Sequence, residues 1–216
     1  KPQGILVAVG GNEDKKHDLS ILRTIVSLAK KDVVRIEVIT TASEIPNQVG
    51  EQYLKAFRKI GGNEPNLMHV DTREKGNDES FVQRIHEADI IFFTGGDQLR
   101  ITSILGGTGV LKEVKSRYFK DGSIIAGTSA GASAMSETMI YGGEATEAIL
   151  KGTVSVTAGI GLINNVIIDS HFIKRGRFSR LMQIASTNPG HIGLGLGENT
   201  GVVIERGHII KAIGTG

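Results

Sequence analysis

Apolar residues in this chain follow two alternating rhythms. Short continuous runs of strand length take turns with stretches in which apolar positions recur every three or four residues. The first run, Ile5–Val9, stops at Gly10-Gly11, and Leu19, Leu22, Val26 and Ala29 then share one face of a helix. Val33–Ile39 reads as a strand, and Tyr53, Phe57 and Ile60 as the buried stripe of a second helix. Leu67–Val70 predicts a short strand and Glu79–Glu87 a third helix. Ile90–Phe93 is wholly apolar and runs into Thr94-Gly95-Gly96-Asp97; helical stretches then lead to the strand Ser123–Ala126. Val154–Thr157, Val166–Ile168, Ile192–Leu196, Val202–Glu205 and His208–Ala212 complete the strands, the last two as a hairpin around Gly207. Such alternation predicts the α/β class, with a mostly parallel sheet buried on both faces. With no repeat, low-complexity segment or linker, residues 1–216 read as one domain.

In sheets of this kind ligands bind beyond the carboxyl ends of the strands, so the residues that follow each apolar run are the informative ones. After Ile90–Phe93 come Gly95 and Gly96; after Ser123–Ala126 comes Ser129. After Val166–Ile168 come Asp169 and His171, and after Ile192–Leu196 comes Glu198. The expectation is that all of them share one edge of one sheet. Ser129 lies in Gly127-Thr128-Ser129-Ala130-Gly131, a G-x-S-x-G between a strand and a helix. Such an elbow exposes a nucleophile on a strained turn and aims the next amide, here that of Ala130, at a developing oxyanion. On the motif alone, a serine in an ordinary glycine-rich loop is an equal reading. His171 is the matching general base, or else an ordinary histidine beside a core strand. Glu198 is the preferred carboxylate to orient it; Asp169, two residues from His171 in an extended segment, is the competing acid. Arg175, Arg177 and Arg180 follow the histidine closely, and guanidinium forks near a reactive site commonly hold carboxylates or phosphates, although a solvated helix start explains them equally. Gln98 can offer substrate a neutral amide.

Composition removes alternatives. There is no cysteine, which excludes disulfides, thiolate nucleophiles and cysteine-ligated metals. The 25 basic and 23 acidic residues nearly cancel, so neither nucleic acid nor a membrane surface is an expected partner. No apolar run approaches the roughly 18 residues that span a bilayer. No signal peptide is visible, which makes the cytoplasm the expected location, although Lys1 leaves room for a removed leader. Neither a phosphate-binding loop nor any metal-ligand spacing among the six histidines is present, so no metal or nucleotide cofactor is expected.

Four ordered stretches, "FFTGGDQ", "GTSAGASAMSETMI", "DSHFIKRGRFSRL" and "GLGLGENTG", together resemble the cyanophycinases and their relative, the aspartyl dipeptidase called dipeptidase E. The likeness runs from about Gly10 to Thr200, and the arginine-bearing stretch is nearer to cyanophycinase. The resemblance implies a flavodoxin-like, three-layer sandwich of the class I glutamine amidotransferase type, with serine at the elbow. It implies a Ser–His–Glu triad of Ser129, His171 and Glu198, with oxyanion donors at the amides of Gly96 and Ala130. It implies a substrate pocket of Gln98, Asp169, Ser170, Arg175, Arg177 and Arg180. The implied activity is that of a homodimeric serine exopeptidase releasing β-Asp-Arg dipeptides from cyanophycin, a polyaspartate with arginine on each side chain. A dipeptidase acting on short Asp-X peptides is the nearest rival, and a non-catalytic anion-binding module of flavodoxin-like shape a more distant one. An α/β-hydrolase esterase fits less well, because its usual order is Ser, acid, His. Ser170 stands where cyanophycinases usually carry glutamine, and Gly197 where an aspartate is common. The chain stops at Gly216, short of the family's usual length, and the expectation is that a C-terminal piece is either missing or carried on a separate chain.

Overall fold

A computed structural model describes residues 1–143 and 153–215. Its elements are β1 (Ile5–Val9), α1 (Ser20–Ser27), β2 (Val34–Ile39), α2 (Pro46–Ile60), β3 (Asn63–Met68), α3 (Glu79–Glu87) and β4 (Ile90–Phe93). They continue with α4 (Gln98–Leu105), α5 (Gly109–Ser116), β5 (Ile124–Thr128), α6 (Ala130–Ser133), β6 (Thr138–Gly142) and β7 (Ser155–Ala158). The last are β8 (Val166–Asp169), α7 (Phe178–Thr187), β9 (Ile192–Gly195), β10 (Thr200–Glu205) and β11 (Ile209–Gly214).

The central sheet has seven strands in the order β11-β10-β1-β5-β4-β2-β3. The pairs from β1 to β3 are parallel, whereas β10 lies antiparallel to β1 and β11 to β10. Successive residues of one strand enter opposite cores, as the period of two requires. Leu6, Ala8, Ile91, Phe93 and Ile125 face the side that buries Ile85, Ile101, Leu105, Val110 and Val114 of α3, α4 and α5. Val7, Val9, Ile90, Phe92, Ile124 and Ala126 face Leu22 and Ile25 of α1 and Tyr53 and Phe57 of α2. This is the expected α/β three-layer sandwich. Among the described residues, no helix is long and apolar enough to cross a membrane.

β1 and β5 are neighbours, yet the helices that follow them lie on opposite faces: Ile21 and Leu22 of α1 in one core, Ala130 and Ala132 of α6 in the other. A crevice opens between adjacent strands whose connections diverge in this way. β5 delivers Ser129 into it.

Two expectations need correction. β8 and β9 are not strands of the central sheet; they form a separate parallel pair. The reason is that the free side of β1 is taken by β10, from the chain's last fifth. The small pair reaches the same rim by backbone stitching instead. The His171 N–H donates to Gly10 O at 2.7 Å and the Asn199 N–H to Gly11 O at 2.9 Å. Secondly, β3 starts earlier than its apolar residues suggest, at Asn63. It is an edge strand, which tolerates both outward polar residues and Pro65. The strand β6, paired antiparallel with β7, lies in a stretch the sequence reading leaves unassigned beyond the elbow.

Candidate active site

Ser129 connects the last residue of β5 to the first of α6 with φ 52° and ψ −114°. An L-residue is strained there, typically by about 1–3 kcal/mol, and keeps the conformation only where its surroundings dictate it. They do so at both ends: the Ser129 N–H donates to Val9 O at 2.9 Å, and Ser129 O accepts from the Ser133 N–H at 2.9 Å. The turn lifts the hydroxyl out of the sheet, half-buried, at the mouth of the crevice.

Opposite it, Ser129 Oγ and His171 Nε2 are 2.9 Å apart, and His171 Nδ1 lies 2.9 Å from Glu198 Oε1. With the Nδ1 proton directed at the carboxylate, Nε2 is left to accept from the serine hydroxyl. The His171 ring first, and the Asn12 amide after it, hold the Glu198 carboxyl below the usual glutamate range. Asn12 Nδ2 donates to the second oxygen, Glu198 Oε2, at 3.2 Å. The imidazole is seated against Gly11, where φ is +104° and a Cβ would fall 2.4 Å from ring atoms Cε1 and Nε2. Only glycine lets the ring lie there.

Gly95 and Gly96 lie across the mouth. A Cβ on Gly95 would sit 3.3 Å from Ser129 Cβ, so this turn is in near contact with the serine. Gly96, at φ +142°, is pressed against the backbone of the loop after β2: a Cβ would meet Ala42 O at 2.1 Å. Asp97 N–H donates to the same Ala42 O at 2.9 Å, and the Asp97 side chain caps α4 by accepting from Leu99 N–H at 2.8 Å. Among the described residues the Gly96 N–H has no acceptor, and that of Ala130, at the first position of α6, is one that a helix leaves unpaired.

The arginine segment divides. Asp169 is buried and ion-paired: Arg180 Nε donates to Asp169 Oδ2 at 2.6 Å, and Arg180 Nη2 donates to Oδ1. Arg177 Nη1 lies 3.2 Å from Asp169 Oδ1 and donates to Ser170 O at 2.6 Å. Arg180 also donates to Gly143 O at 3.1 Å, tying β8 to the end of β6. Arg175 is exposed, and Ser170 is buried with its hydroxyl 3.5 Å from that of Ser133. Gln98 Nε2 donates to Ile140 O at 3.0 Å. Asp169, the competing acid, is thus occupied by guanidinium groups, while the imidazole meets Glu198.

The model for peptidase family S51 matches residues 5–212 of this chain. The chain belongs to peptidase family S51. As a serine-type peptidase it is an enzyme, which sets aside the reading of a non-catalytic binding module. A cyanophycinase of Geminocystis herdmanii is 33% identical over 211 residues, covering 98% of this chain and 78% of that protein. A cyanophycinase of Synechococcus elongatus is 34% identical over 214 residues, covering 99% of this chain and 66% of that protein. The chain therefore spans about two thirds to three quarters of the length of these relatives. In fold it is similar to a crystal structure of a peptidase from an acI-B1 Actinobacterium, with a TM-score of 0.77 and 23% identity over 99% of this chain and 88% of that one.

The sequence reading misses one part of this cluster, the residues that follow β1. Gly11 and Asn12 touch the imidazole and the carboxylate, and both lie directly beyond an apolar run. The rule that finds Ser129 and His171, applied to the first strand as well, reaches them.

Proposed function

We propose that this S51 peptidase hydrolyses cyanophycin as an exopeptidase through Ser129, His171 and Glu198, releasing β-Asp-Arg dipeptides. The observation that carries the reading is the unbroken relay from Ser129 Oγ through both ring nitrogens of His171 to Glu198, with 2.9 Å at each step. Ser129 Oγ attacks the scissile carbonyl carbon while His171 Nε2 takes its proton. The Gly96 and Ala130 amides receive the charge that forms on the carbonyl oxygen, a contribution of about 10²–10³ in turnover per donor in such sites. His171 then gives the proton to the leaving amine, and the acyl-enzyme is hydrolysed by a water that His171 deprotonates in turn. Glu198 keeps the imidazole in the tautomer that can accept and stabilises its charged form.

On the substrate side, the exposed Arg175 and the half-buried Arg177 supply guanidinium groups for carboxylates of the polymer, and Gln98 a neutral amide. Asp169, Ser170 and Arg180 contribute as the buried wall that carries Arg177. The names of the relatives support this substrate. The test is digestion of insoluble cyanophycin beside Asp-X dipeptides, with mass analysis of the products. Release of β-Asp-Arg at the higher rate is expected; faster turnover of Asp-X peptides with intact cyanophycin would replace this reading with that of an aspartyl dipeptidase.

A further inference from the structure

Behind the elbow lies a carboxylate that the mechanism does not use. Glu13 is 2% exposed, in the loop after β1. A carboxylate buried to this extent is costly unless its oxygens are met, and an apolar residue of similar volume would often serve stability as well or better. Both oxygens are met by hydroxyl groups. Tyr53 Oη of α2 donates to Glu13 Oε1, and Thr128 Oγ1 donates to Glu13 Oε2 at 2.6 Å. The Lys15 ammonium lies 3.9 Å from Oε1 and stacks over the Tyr53 ring at 5.1 Å from its centroid.

Thr128 immediately precedes Ser129, so the Glu13 carboxylate grips the residue from which the strained turn departs. The neighbours of Glu13 reach the other two members of the triad. Gly10 O accepts the His171 N–H at 2.7 Å, Gly11 seats the imidazole and Asn12 holds Glu198. Four consecutive residues of one loop therefore touch all three elements that must meet.

We propose that Glu13 is a positioning residue for catalysis: through Thr128 it fixes the nucleophile elbow in register with the histidine and glutamate held by the same loop. The inference rests on the reading of Ser129 as the nucleophile. It assigns Glu13 an effect on turnover rather than on substrate affinity.

The test uses the full chain and a soluble β-Asp-Arg oligomer, with kcat and KM measured well below the melting transition of each variant. Thr128→Val removes the hydroxyl at nearly constant shape, Thr128→Ser restores it, and Glu13→Gln weakens the acceptor. Thr128→Val is expected to lower kcat by about 10- to 100-fold, with KM within about twofold, since small misplacements of reacting groups act on the chemical step. Glu13→Gln falls in the same range. The double variant is expected to be no more than about threefold slower than the slower single variant, because both remove one contact. Thr128→Ser stays within about threefold of the parent. A folded Thr128→Val enzyme with unchanged kcat overturns the proposal, as does a loss confined to KM or losses that multiply in the double variant. If Glu13→Gln does not fold, the Thr128→Val and Thr128→Ser pair decides alone. Ser129→Ala, run in parallel, separates the two failures: if it retains activity the nucleophile assignment is wrong, whereas an inactive Ser129→Ala beside a fully active Thr128→Val removes only the role of Glu13.

Discussion

Ser129 and His171 both hold backbone conformations that side-chain-bearing residues avoid, with φ 52° and 48°. Two strained residues face to face are sustained only by close neighbours, and Gly11 lies directly against the imidazole. Gly11→Ala is therefore expected to push the ring off Ser129 and lower kcat by about 100-fold. Its strained φ also destabilises the chain, by about 1–2 kcal/mol. Steady-state kinetics and a denaturant curve read the two effects separately, and an unchanged kcat would show that the ring has room elsewhere. At this scale the serine, histidine and glutamate were legible because each follows a continuous apolar run. Asn12 and Glu13 also follow one, but nothing in their local sequence says that they face Glu198 and Thr128. Those contacts join residues 186 and 115 positions apart and exist only once β1 lies beside β5 and β10.

Among the elements, the β8–β9 pair shows what periodicity cannot supply. Its residues read correctly as strands, yet their pairing depends on β10 having claimed the side of β1. The pair and α7 are held by the buried Asp169–Arg180 contact, whose side chains are 1% and 8% exposed. Arg180→Met should destabilise the chain by about 3 kcal/mol, the low end for breaking a buried pair, because Arg177 remains on Asp169. A fall in the denaturant midpoint at constant m-value checks this, and a stability equal to the parent contradicts it. The loop between β1 and α1 is organised by Asp14, whose carboxylate accepts from the backbone N–H groups of Lys16 at 2.9 Å, His17 at 3.0 Å and Leu19 at 3.2 Å. These bonds, with that of Lys16 the largest influence, hold its carboxyl far below the ordinary aspartate value of 3.8. A carboxyl depressed on folding adds stability that is complete above its unfolded pKa and lost as pH falls toward the folded one. The melting temperature is therefore expected to decline below about pH 4, and Asp14→Asn to flatten that decline. Glu37 works in the opposite sense, its carboxyl raised by burial, and is unaffected by this change.

Over the whole molecule, the alternation of apolar runs and helical stripes made the sandwich readable, since both faces of the strands are buried. Divergent connections at β1 and β5 place the crevice, and four segments converge on it from Gly10, Gly95, Ser129 and the β8–β10 region. We propose that this convergence makes Ser129 the nucleophile of a working triad. The most direct measurement is the rate at which purified Ser129→Ala, shown by its melting curve to be folded, digests cyanophycin beside the parent enzyme. A loss of at least about 10⁴-fold is expected, as removal of a triad nucleophile gives. A folded Ser129→Ala protein that releases dipeptide at the parent rate would contradict it.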